Sequence, residues 1–371
     1  MDLKLIATTT FGLEAVTAKE LKNLGYEDLT VENGKVTFEG DEMDIAICNI
    51  WLRTADRVLI QMAQFEAKSF EELFQGTLAV NWGEFIPENG IMHITGKSIK
   101  SQLHSVPDCQ GIVKKAVVEG MKKTYNKEWF SEDGPVYKIE VGILKDLVTL
   151  TMDTTGAGLH KRGYRALAGE APMKETLAAA LVLLSNWNTS KSLADPMCGS
   201  GTIAIEAALI GKNIAPGLKR NFVCEQWPIM PKDIWEQVRE GAVKAINKDE
   251  FLILASDIDG SVLRTAKDNA VKAGVSEYIA FQKLSMEEFS SKKKAGCIIC
   301  NPPYGERIGE KEKLQELYKK LGKVYRELNE WSCYVITSFE DFQKYFGEKA
   351  DKNRKLYNGR LLCYYYQYIK K

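Results

Sequence analysis

Apolar positions near the start of the chain recur with the periods of short strands and helices. Residues 3–8 predict a strand, and leucine and valine recur at helical spacing over residues 12–24. Asn33-Gly34 then separates two strand-like segments, as in a tight β-hairpin, and a second helix follows. This order predicts an α+β subdomain with a ferredoxin-like sheet over residues 1–60.

The next part of the chain, residues 61–155, predicts a second unit that also mixes helices and strands. Its helices are predicted over residues 70–78 and 108–124, and its strands over residues 91–95, 136–141 and 147–153. Glycines and basic residues then interrupt the apolar pattern. Residues 156–170 are therefore predicted to be a linker.

Strands alternate with helices over the remaining residues, 171–371. The strands are predicted over residues 192–195, 251–257, 279–284, 295–300, 333–337 and 361–368. The helices are predicted over residues 174–187, 200–210, 261–273 and 314–328. Such alternation predicts an α/β domain with a mostly parallel sheet. The last two strands are close enough in sequence to pair as an antiparallel hairpin.

Composition and charge narrow the class of protein. The chain has 371 residues, 45% hydrophobic and 27% charged, with a formal net charge of zero. No apolar run is long enough to cross a bilayer, and the N-terminus predicts a strand rather than a signal peptide. These features predict a globular cytoplasmic protein of two or three domains.

The eight cysteines lie mostly in apolar segments, which is typical of buried thiols in a reducing compartment. Cys297 and Cys300 form a CxxC pair, but no second pair stands at zinc-binding spacing. We therefore expect no metal site.

The segment from Asp195 to Thr202 joins a predicted strand to a predicted helix and contains two glycines. Gly199, Gly201 and Ala204 also match a dinucleotide-binding fingerprint. However, Asp195 would repel a pyrophosphate and attract an ammonium group. The next candidate ribose-binding acid, Asp257, lies far beyond the spacing of that fingerprint. S-adenosylmethionine carries an ammonium, a ribose diol and no phosphate, so it fits both acids.

This interpretation gives a set of candidate cofactor-binding residues. Asp257 is expected to bind the ribose diol. Either Asp257 or Asp259 is suited to cap the helix that follows, and we assign the capping role to Asp259. The segment around Ser285, after the next strand, is expected to lie near the adenine. The complete set is Asp195, Pro196, Gly199, Gly201, Thr202, Asp257, Ile258 and Ser285.

Asn301-Pro302-Pro303-Tyr304 directly follows an apolar strand. The prolines restrict the backbone and remove donors, while the asparagine offers a carbonyl acceptor beside an aromatic ring. In open α/β sheets this edge binds ligands. The four residues are thus predicted to be catalytic. They would bind a planar exocyclic amine while Tyr304 stacks on the ring that carries it. The alternative is a proline-rich turn without a catalytic role.

Charge is segregated along the chain. Residues 1–90 contain 7 basic and 16 acidic residues, whereas residues 91–127 contain 7 basic and 2 acidic ones. Local basicity of this kind suits phosphate binding, although a solvated helix face explains it equally well. The candidate RNA-binding residues, including two arginines of the linker, are Lys97, Lys100, Lys114, Lys115, Lys122, Arg162 and Arg165.

Taken together, these motifs resemble the THUMP-domain RNA methyltransferases, in particular the bacterial family that forms N2-methylguanine in large-subunit ribosomal RNA. The resemblance spans the whole chain. It includes residues 97–116, which are similar to the second half of a THUMP domain, and residues 159–165 with 171–178, which are similar to the entry into the catalytic domain. The donor loop from Asp195 and the Asn301 motif complete it.

The resemblance implies a C-terminal Rossmann-like methyltransferase domain, with a mostly parallel seven-stranded sheet and an antiparallel terminal strand. A ferredoxin-like subdomain and a THUMP domain would precede it. It further implies S-adenosylmethionine as cofactor and RNA, in particular 23S rRNA or a large-subunit assembly intermediate, as partner. Transfer RNA guanine-N2 methylation, adenine-N6 methylation, protein glutamine methylation and a noncatalytic RNA-binding adaptor remain as alternatives.

Overall fold

Two seven-stranded sheets organise the computed structural model, which describes residues 1–165, 173–304 and 310–370. The start of the predicted catalytic domain at residue 171 and part of the predicted linker lie outside the described residues. Within the described part, no helix is long and apolar enough to cross a membrane.

The first sheet is formed by the N-terminal part of the chain. Its strands are β1 (Leu3–Thr9), β2 (Thr30–Glu32), β3 (Lys35–Gly40), β4 (Ala55–Glu66), β5 (Ile91–Ile99), β6 (Val136–Leu144) and β7 (Leu147–Asp153). Its helices are α1 (Glu14–Asn23), α2 (Glu42–Trp51), α3 (Phe70–Leu78), α4 (Trp82–Phe85) and α5 (Val106–Tyr125). The strand order is β2-β3-β1-β4-β7-β6-β5, and only β5 and β6 pair in parallel.

Strand β4 joins the two predicted N-terminal units into one sheet. It pairs with β1 on one side and with β7 on the other. The boundary predicted at residue 60 therefore falls inside this strand. The sequence pattern missed β4 because its second half is only partly buried and a bulge between Gln61 and Ala63 interrupts its alternation.

The second sheet has the architecture that the resemblance implied. Its strands are β8 (Ser192–Asp195), β9 (Ile253–Asp257), β10 (Ile279–Lys283), β11 (Ala295–Cys300), β12 (Glu330–Thr337), β13 (Lys352–Asn358) and β14 (Leu361–Tyr368). Its helices are α6 (Glu175–Leu184), α7 (Thr202–Gly211), α8 (Lys232–Lys244), α9 (Gly260–Ala273), α10 (Glu310–Glu327) and α11 (Phe342–Phe346). The strand order is β10-β9-β8-β11-β12-β14-β13. Strand β14 runs in the direction opposite to the other six strands.

One strand of this sheet was not predicted. The two terminal strands, β12 and β14, do pair antiparallel, but the hairpin partner of β14 is β13. Strand β13 escaped prediction because four of its seven residues are exposed and polar and only Leu356 is fully buried. An edge strand of this kind lacks the apolar run on which the prediction depended.

Most of the segment between α7 and β9 packs against the first sheet, although its two ends also contact the core of the second. Trp227 stacks on Tyr137 of β6 at 4.7 Å between ring centroids, and its indole nitrogen donates a hydrogen bond to the Val136 carbonyl at 3.0 Å. Helix α8, which follows, packs against α2 and contributes Trp235 to the first hydrophobic core. The two sheets therefore belong to one closely packed body.

Candidate active site

The predicted site residues of the second sheet converge at one edge. Asp195 ends β8, Asp257 ends β9 and Asn301 follows β11, and these three strands are parallel neighbours. The carboxyl ends of parallel strands meet at the same edge, and the strand order changes direction between β8 and β11. Such a switch point is where open α/β sheets bind ligands.

A cavity of 310 Å³ opens at this edge between the donor loop and the four-residue corner. Asp195 and Gly199 line one side, and all four corner residues, Asn301 to Tyr304, line the other. Met173 and Asn358 complete the wall. The cavity therefore brings the donor loop and the amine-binding corner together.

The donor loop requires both of its glycines. Gly199 and Gly201 have φ angles of +51° and +82°, a region that other residues seldom adopt. The Gly199 amide donates to Asp257 Oδ2 at 2.9 Å, which ties the loop to the end of β9. A Cβ on Gly201 would lie 3.1 Å from that of Ala266 in α9. Pro196, between β8 and α7, is buried.

Asp195 is buried beneath this loop, with 1% of its surface exposed. It accepts one hydrogen bond, from the Met197 amide at 3.3 Å. Burial raises the pKa of Asp195 to about 8, and the nearby Asp257 carboxylate adds to the shift. A cationic partner in the cavity would reverse this cost, so Asp195 is suited to an ammonium group.

The ends of β9 and β10 carry the residues predicted to bind the rest of the cofactor. Asp257 accepts hydrogen bonds from the Gly199 and Asp259 amides, at 2.9 and 3.0 Å. Asp259 caps α9 by accepting from the Ser261 amide at 2.8 Å, as predicted. Ile258 is 71% exposed, and it lines a second cavity of 490 Å³ together with Ser285.

Asn301 presents an unused acceptor. Its side-chain oxygen Oδ1 is buried, yet no donor among the described residues reaches it. Buried acceptors are nearly always satisfied in native proteins, so we expect this atom to have a partner that is not among the described residues. Pro302 is buried and Pro303 exposed, and both line the same cavity.

Tyr304 is held in place by a residue that the sequence analysis missed. Its hydroxyl accepts a hydrogen bond from the Asn358 side-chain nitrogen at 3.2 Å, and its ring packs against the second hydrophobic core. Burial raises the pKa of Tyr304 above its usual range, so the phenol remains neutral. The dipeptide Asn358-Gly359 is itself a hairpin-turn signal, but it did not reveal the contact with Tyr304.

The predicted RNA-binding lysines of the first module are exposed except Lys122, which is half-buried, and most of them have acidic or aromatic neighbours. Lys97 pairs with Glu140 at 2.6 Å and Lys114 with Glu132 at 3.0 Å. Lys122 pairs with two glutamates, and the Lys115 ammonium lies 5.6 Å from the centroid of the Phe74 ring. Lys100 is exposed with a φ of +51°. Their binding of RNA stays a prediction.

The prediction for the two linker arginines needs correction. Arg162 is buried: its guanidinium donates to the Leu159 carbonyl at 2.7 Å and to the Arg53 carbonyl, and lies 3.6 Å from Glu206. Arg165 is mostly buried and donates to the Thr202 hydroxyl at 2.7 Å. Arg162 therefore joins the two modules, whereas Arg165 contacts only groups of the second module among the described residues. Buried guanidinium groups of this kind are not placed on the surface for RNA phosphates.

No group of three or more possible metal ligands is found in the described part of the chain. Cys297 and Cys300 are free and fully buried within β11. Burial raises the pKa of Cys297 to about 12, so its thiol stays protonated.

The fold and the cavity together define a Rossmann-like S-adenosylmethionine-dependent methyltransferase behind an N-terminal RNA-binding module. Three family models match in the same order: an RlmL ferredoxin-like domain at residues 4–59, a THUMP domain at residues 67–153 and an RMKL-like methyltransferase domain at residues 162–367. The chain belongs to the RMKL-like RNA methyltransferase family.

Curated relatives carry related names. The chain is 52% identical over 370 residues to the "Putative RNA methyltransferase YpsC" of Bacillus subtilis (strain 168), covering 99% of this chain and 96% of that protein. It is 35% identical to the ribosomal RNA large subunit methyltransferase K/L of Vibrio cholerae, covering 98% of this chain but 52% of the relative. The chain thus spans about half the length of the K/L protein.

Solved structures share the whole fold. A "possible methylase" from Clostridium difficile 630 is 49% identical, with a TM-score of 0.97 over 100% of this chain and 99% of that one. A "predicted N6-adenine-specific DNA methylase" from Listeria monocytogenes is also 49% identical, with a TM-score of 0.96 over 100% and 97%. SMU.472, solved in complex with SAH, is 42% identical, with a TM-score of 0.95 over 100% and 98%.

Proposed function

We propose that this RNA methyltransferase transfers the methyl group of S-adenosylmethionine to the exocyclic N2 of a guanine in 23S ribosomal RNA. The observation that carries the proposal is the buried Oδ1 of Asn301 on the wall of the cavity, to which none of the described residues donates a hydrogen bond. An exocyclic amine has N–H donors that would satisfy this acceptor. The assignment to ribosomal RNA rests on the K/L relative and on the family resemblance.

The residues present fit the proposed cofactor. When bound, S-adenosylmethionine supplies an electrophilic methyl group on a sulfonium. Asp195 would hold its ammonium group, and the buried carboxylate would gain a cationic partner, which none of the described residues provides. Asp257 would accept from the ribose diol through lone pairs that the Gly199 and Asp259 amides leave free. Ile258 and Ser285 would lie along the adenine.

The corner residues would prepare the acceptor nitrogen. In guanine, the N2 lone pair is delocalised into the ring, which makes the amine a poor nucleophile. Hydrogen bonds from its N–H groups to Asn301 Oδ1 and to the Pro302 carbonyl would favour a tetrahedral nitrogen whose lone pair points at the methyl group. Positioning of this kind can lower a barrier by several kcal/mol, on the order of 7 in well-oriented reactions.

No strong general base is required in this scheme. The nitrogen–carbon bond forms as the carbon–sulfur bond breaks, and the methylated amine becomes acidic and then loses a proton to water. Tyr304, held by Asn358, would present its ring to the base, which must leave its stack to reach the cavity. RNA of this kind would be met in the cytoplasm.

The proposal is tested by identifying the methylated nucleoside. 23S rRNA and a set of transfer RNAs are transcribed in vitro, so that both are unmodified. Each is incubated with the enzyme and isotopically labelled S-adenosylmethionine, then digested and analysed by mass spectrometry. We expect labelled N2-methylguanosine from the 23S rRNA. Labelled N6-methyladenosine would assign the enzyme to the adenine class suggested by the name of the Listeria protein, and label confined to transfer RNA would reassign the substrate.

The role of Asn301 is tested in the same assay. Asn301→Ala should lower turnover by about 100-fold or more, because an acceptor present in the transition state is lost. Binding of S-adenosylhomocysteine, measured by calorimetry, should be unchanged, since the donor loop is intact. Retained turnover would contradict the role. If the unsubstituted protein does not bind S-adenosylhomocysteine, the only remaining interpretation is a noncatalytic RNA-binding adaptor.

A further inference from the structure

Strand β13 carries a concentration of positive charge that the proposed function does not use. Lys352, Arg354 and Lys355 are all exposed on it, and Arg360 is exposed at the tip of the hairpin that follows. Residues 352–360 contain no acidic residue. Among the described residues, none of these four cations lies in an ion pair, unlike Lys97, Lys114 and Lys122 of the first module. We call these four residues the β13 cations.

Edge protection does not explain the β13 cations. Strand β13 forms one edge of the second sheet, and charged side chains at an edge discourage pairing with other chains. However, β10 at the opposite edge carries a single cation, Lys283, and the edge strand β2 of the first sheet carries none. One cation or none is therefore enough at these two edges, and the three cations within β13 require another reason.

The position of β13 supplies that reason. The strand is ~20 Å long at about 3.3 Å per residue, and its last residue, Asn358, lines the active-site cavity and holds Tyr304. The charges therefore form a track that ends at the cavity where the target base would enter.

The same strand also meets the first module. Phe11, which is 51% exposed, packs edge-on against Tyr357 at 6.1 Å between ring centroids. Gly12 lies so close to the Lys355 carbonyl that a Cβ on it would approach the oxygen to 2.6 Å. A nucleic acid bound to the first module could therefore continue onto β13 without leaving the protein surface. Exposed aromatic rings beside cations are typical of surfaces that bind unpaired RNA.

We propose that the β13 cations bind the phosphates of the RNA strand that flanks the target base, and so guide that base into the cavity. The proposal rests on the proposed RNA substrate and adds a second RNA contact to the first module. A folded protein partner is less suited to this surface, because the cations lie on both faces and at the tip of a narrow hairpin. A phosphate backbone can follow such an edge.

The test compares two triple variants that remove the same charge. Lys352→Gln, Arg354→Gln and Lys355→Gln are combined in one protein. Lys292→Gln, Lys293→Gln and Lys294→Gln are combined in the control, because these exposed lysines precede β11 at the end of the strand opposite Asn301. Affinity for 23S rRNA transcribed in vitro is measured between 50 and 200 mM salt, a range of about fourfold.

We expect the β13 variant to bind this RNA more weakly and the slope of log affinity against log salt to decrease by about 2, at about 0.7 for each lost phosphate contact. Affinity for S-adenosylhomocysteine and the thermal midpoint should match those of the control. KM for RNA should rise more than kcat falls. If the β13 variant and the control share the same RNA affinity and salt slope, the proposal is wrong.

A second variant guards against damage to the edge strand. Arg360→Gln lies outside β13, at the hairpin tip, and should lower the salt slope by about 0.7 alone. An unchanged slope in this variant, with the triple variant unfolded, would also overturn the proposal.

The outcome of this test can be distinguished from the outcome of the test of the proposed function. RNA binding through β13 without N2-methylguanosine would reject only the guanine assignment, whereas N2-methylguanosine with unaltered binding would reject only the β13 surface.

Discussion

At the scale of single residues, the active site is defined by two buried groups that the described residues do not satisfy. Among these residues, Asn301 Oδ1 has no donor, and Asp195 is buried with one backbone hydrogen bond and no paired cation. Each group costs free energy in the free protein and would recover it on binding a ligand of complementary chemistry. The two atoms thus specify an amine donor on one side of the cavity and an ammonium on the other.

The raised pKa of Asp195 predicts a pH dependence of cofactor binding. Below pH 8 the carboxyl group of the free protein is mostly protonated, because its pKa is about 8. An ammonium ligand needs the carboxylate, so binding must release this proton. Affinity for S-adenosylhomocysteine should therefore fall by up to about tenfold for each pH unit below 8. Calorimetry in buffers of different ionisation enthalpy should detect the released proton.

The control for this prediction is Asp195→Asn, which removes the titrating group and keeps its shape. This variant should bind more weakly at about pH 8 and should show no change in affinity between about pH 6 and pH 8, because the group that titrates in this range is gone. A wild-type affinity that is constant over that window would show that Asp195 does not bind the ammonium group.

Asn358 is predicted to position Tyr304. In Asn358→Ala the tyrosine hydroxyl loses its hydrogen-bond donor, so the ring should become less well oriented. We expect kcat to fall by about tenfold, the equivalent of one lost hydrogen bond of about 1.4 kcal/mol, with little change in affinity for S-adenosylhomocysteine. Asn353→Ala, an exposed position on the same strand, is the matched control and should keep its kcat. Equal kcat values in the two variants would contradict this role.

At the scale of elements, the segment between α7 and β9 shows how closely the two modules are fitted together. Gly217 lies in this segment, and a Cβ on it would approach the Asn49 carbonyl oxygen to 2.6 Å and the Ile50 Cα to 2.7 Å. Both atoms belong to the backbone of α2, which cannot move aside as a side chain can. The segment and α2 thus pack at a distance that only glycine permits.

Gly217→Ala is therefore predicted to lower the free energy of unfolding by about 1–3 kcal/mol through overpacking. Gly241→Ala is the control, because Gly241 lies within α8 with open space where its Cβ would be. Alanine is the better helix former, so the control should gain about 0.5–1 kcal/mol. Urea unfolding followed by circular dichroism measures both variants. Similar effects of the two substitutions would show that the segment tolerates a looser contact.

At the scale of the whole molecule, buried charges join the two modules. Arg162 of the linker lies beside Glu206 of α7 and donates to the Arg53 carbonyl of the first module. Tyr164 donates to Glu206 at 3.0 Å. Arg220, from the segment before α8, donates to the Gly158 carbonyl at 3.0 Å. Separating the modules would expose hydrophobic surface and leave these charges unpaired, which is costly in a buried setting.

The two modules are consequently predicted to unfold together. S-adenosylhomocysteine should bind at the second sheet. Trp82, Trp227 and Trp235 are buried in the core of the first sheet, and Trp187 and Trp331 in the cores of the second, so fluorescence reports on both modules. If unfolding is cooperative, saturating ligand should raise the midpoint of tryptophan fluorescence by as much as that of far-ultraviolet circular dichroism. A fluorescence transition that ignores the ligand would show that the modules unfold independently.

The sequence by itself determined the classes of most elements and the two segments that line most of the cavity. Helix α3 and strands β7, β8 and β11 have the predicted limits, because their periodicity and flanking turn residues are local. The donor loop and the Asn301 corner were recognisable for the same reason: each is a contiguous segment after a strand. Parallel strands then bring such segments to one edge whatever the remaining contacts are.

Only the tertiary structure decided the partners of these residues. An arginine in a predicted linker is expected to be exposed. Arg162 is buried instead, because its guanidinium donates to the Arg53 carbonyl, 109 residues away in the sequence. Asn358 contacts Tyr304, which lies 54 residues away in the sequence. Strand β13 belongs to the site only because its last residue lines the cavity. Local patterns specify the conformation of a segment, whereas burial and pairing depend on atoms that folding brings together from distant parts of the chain.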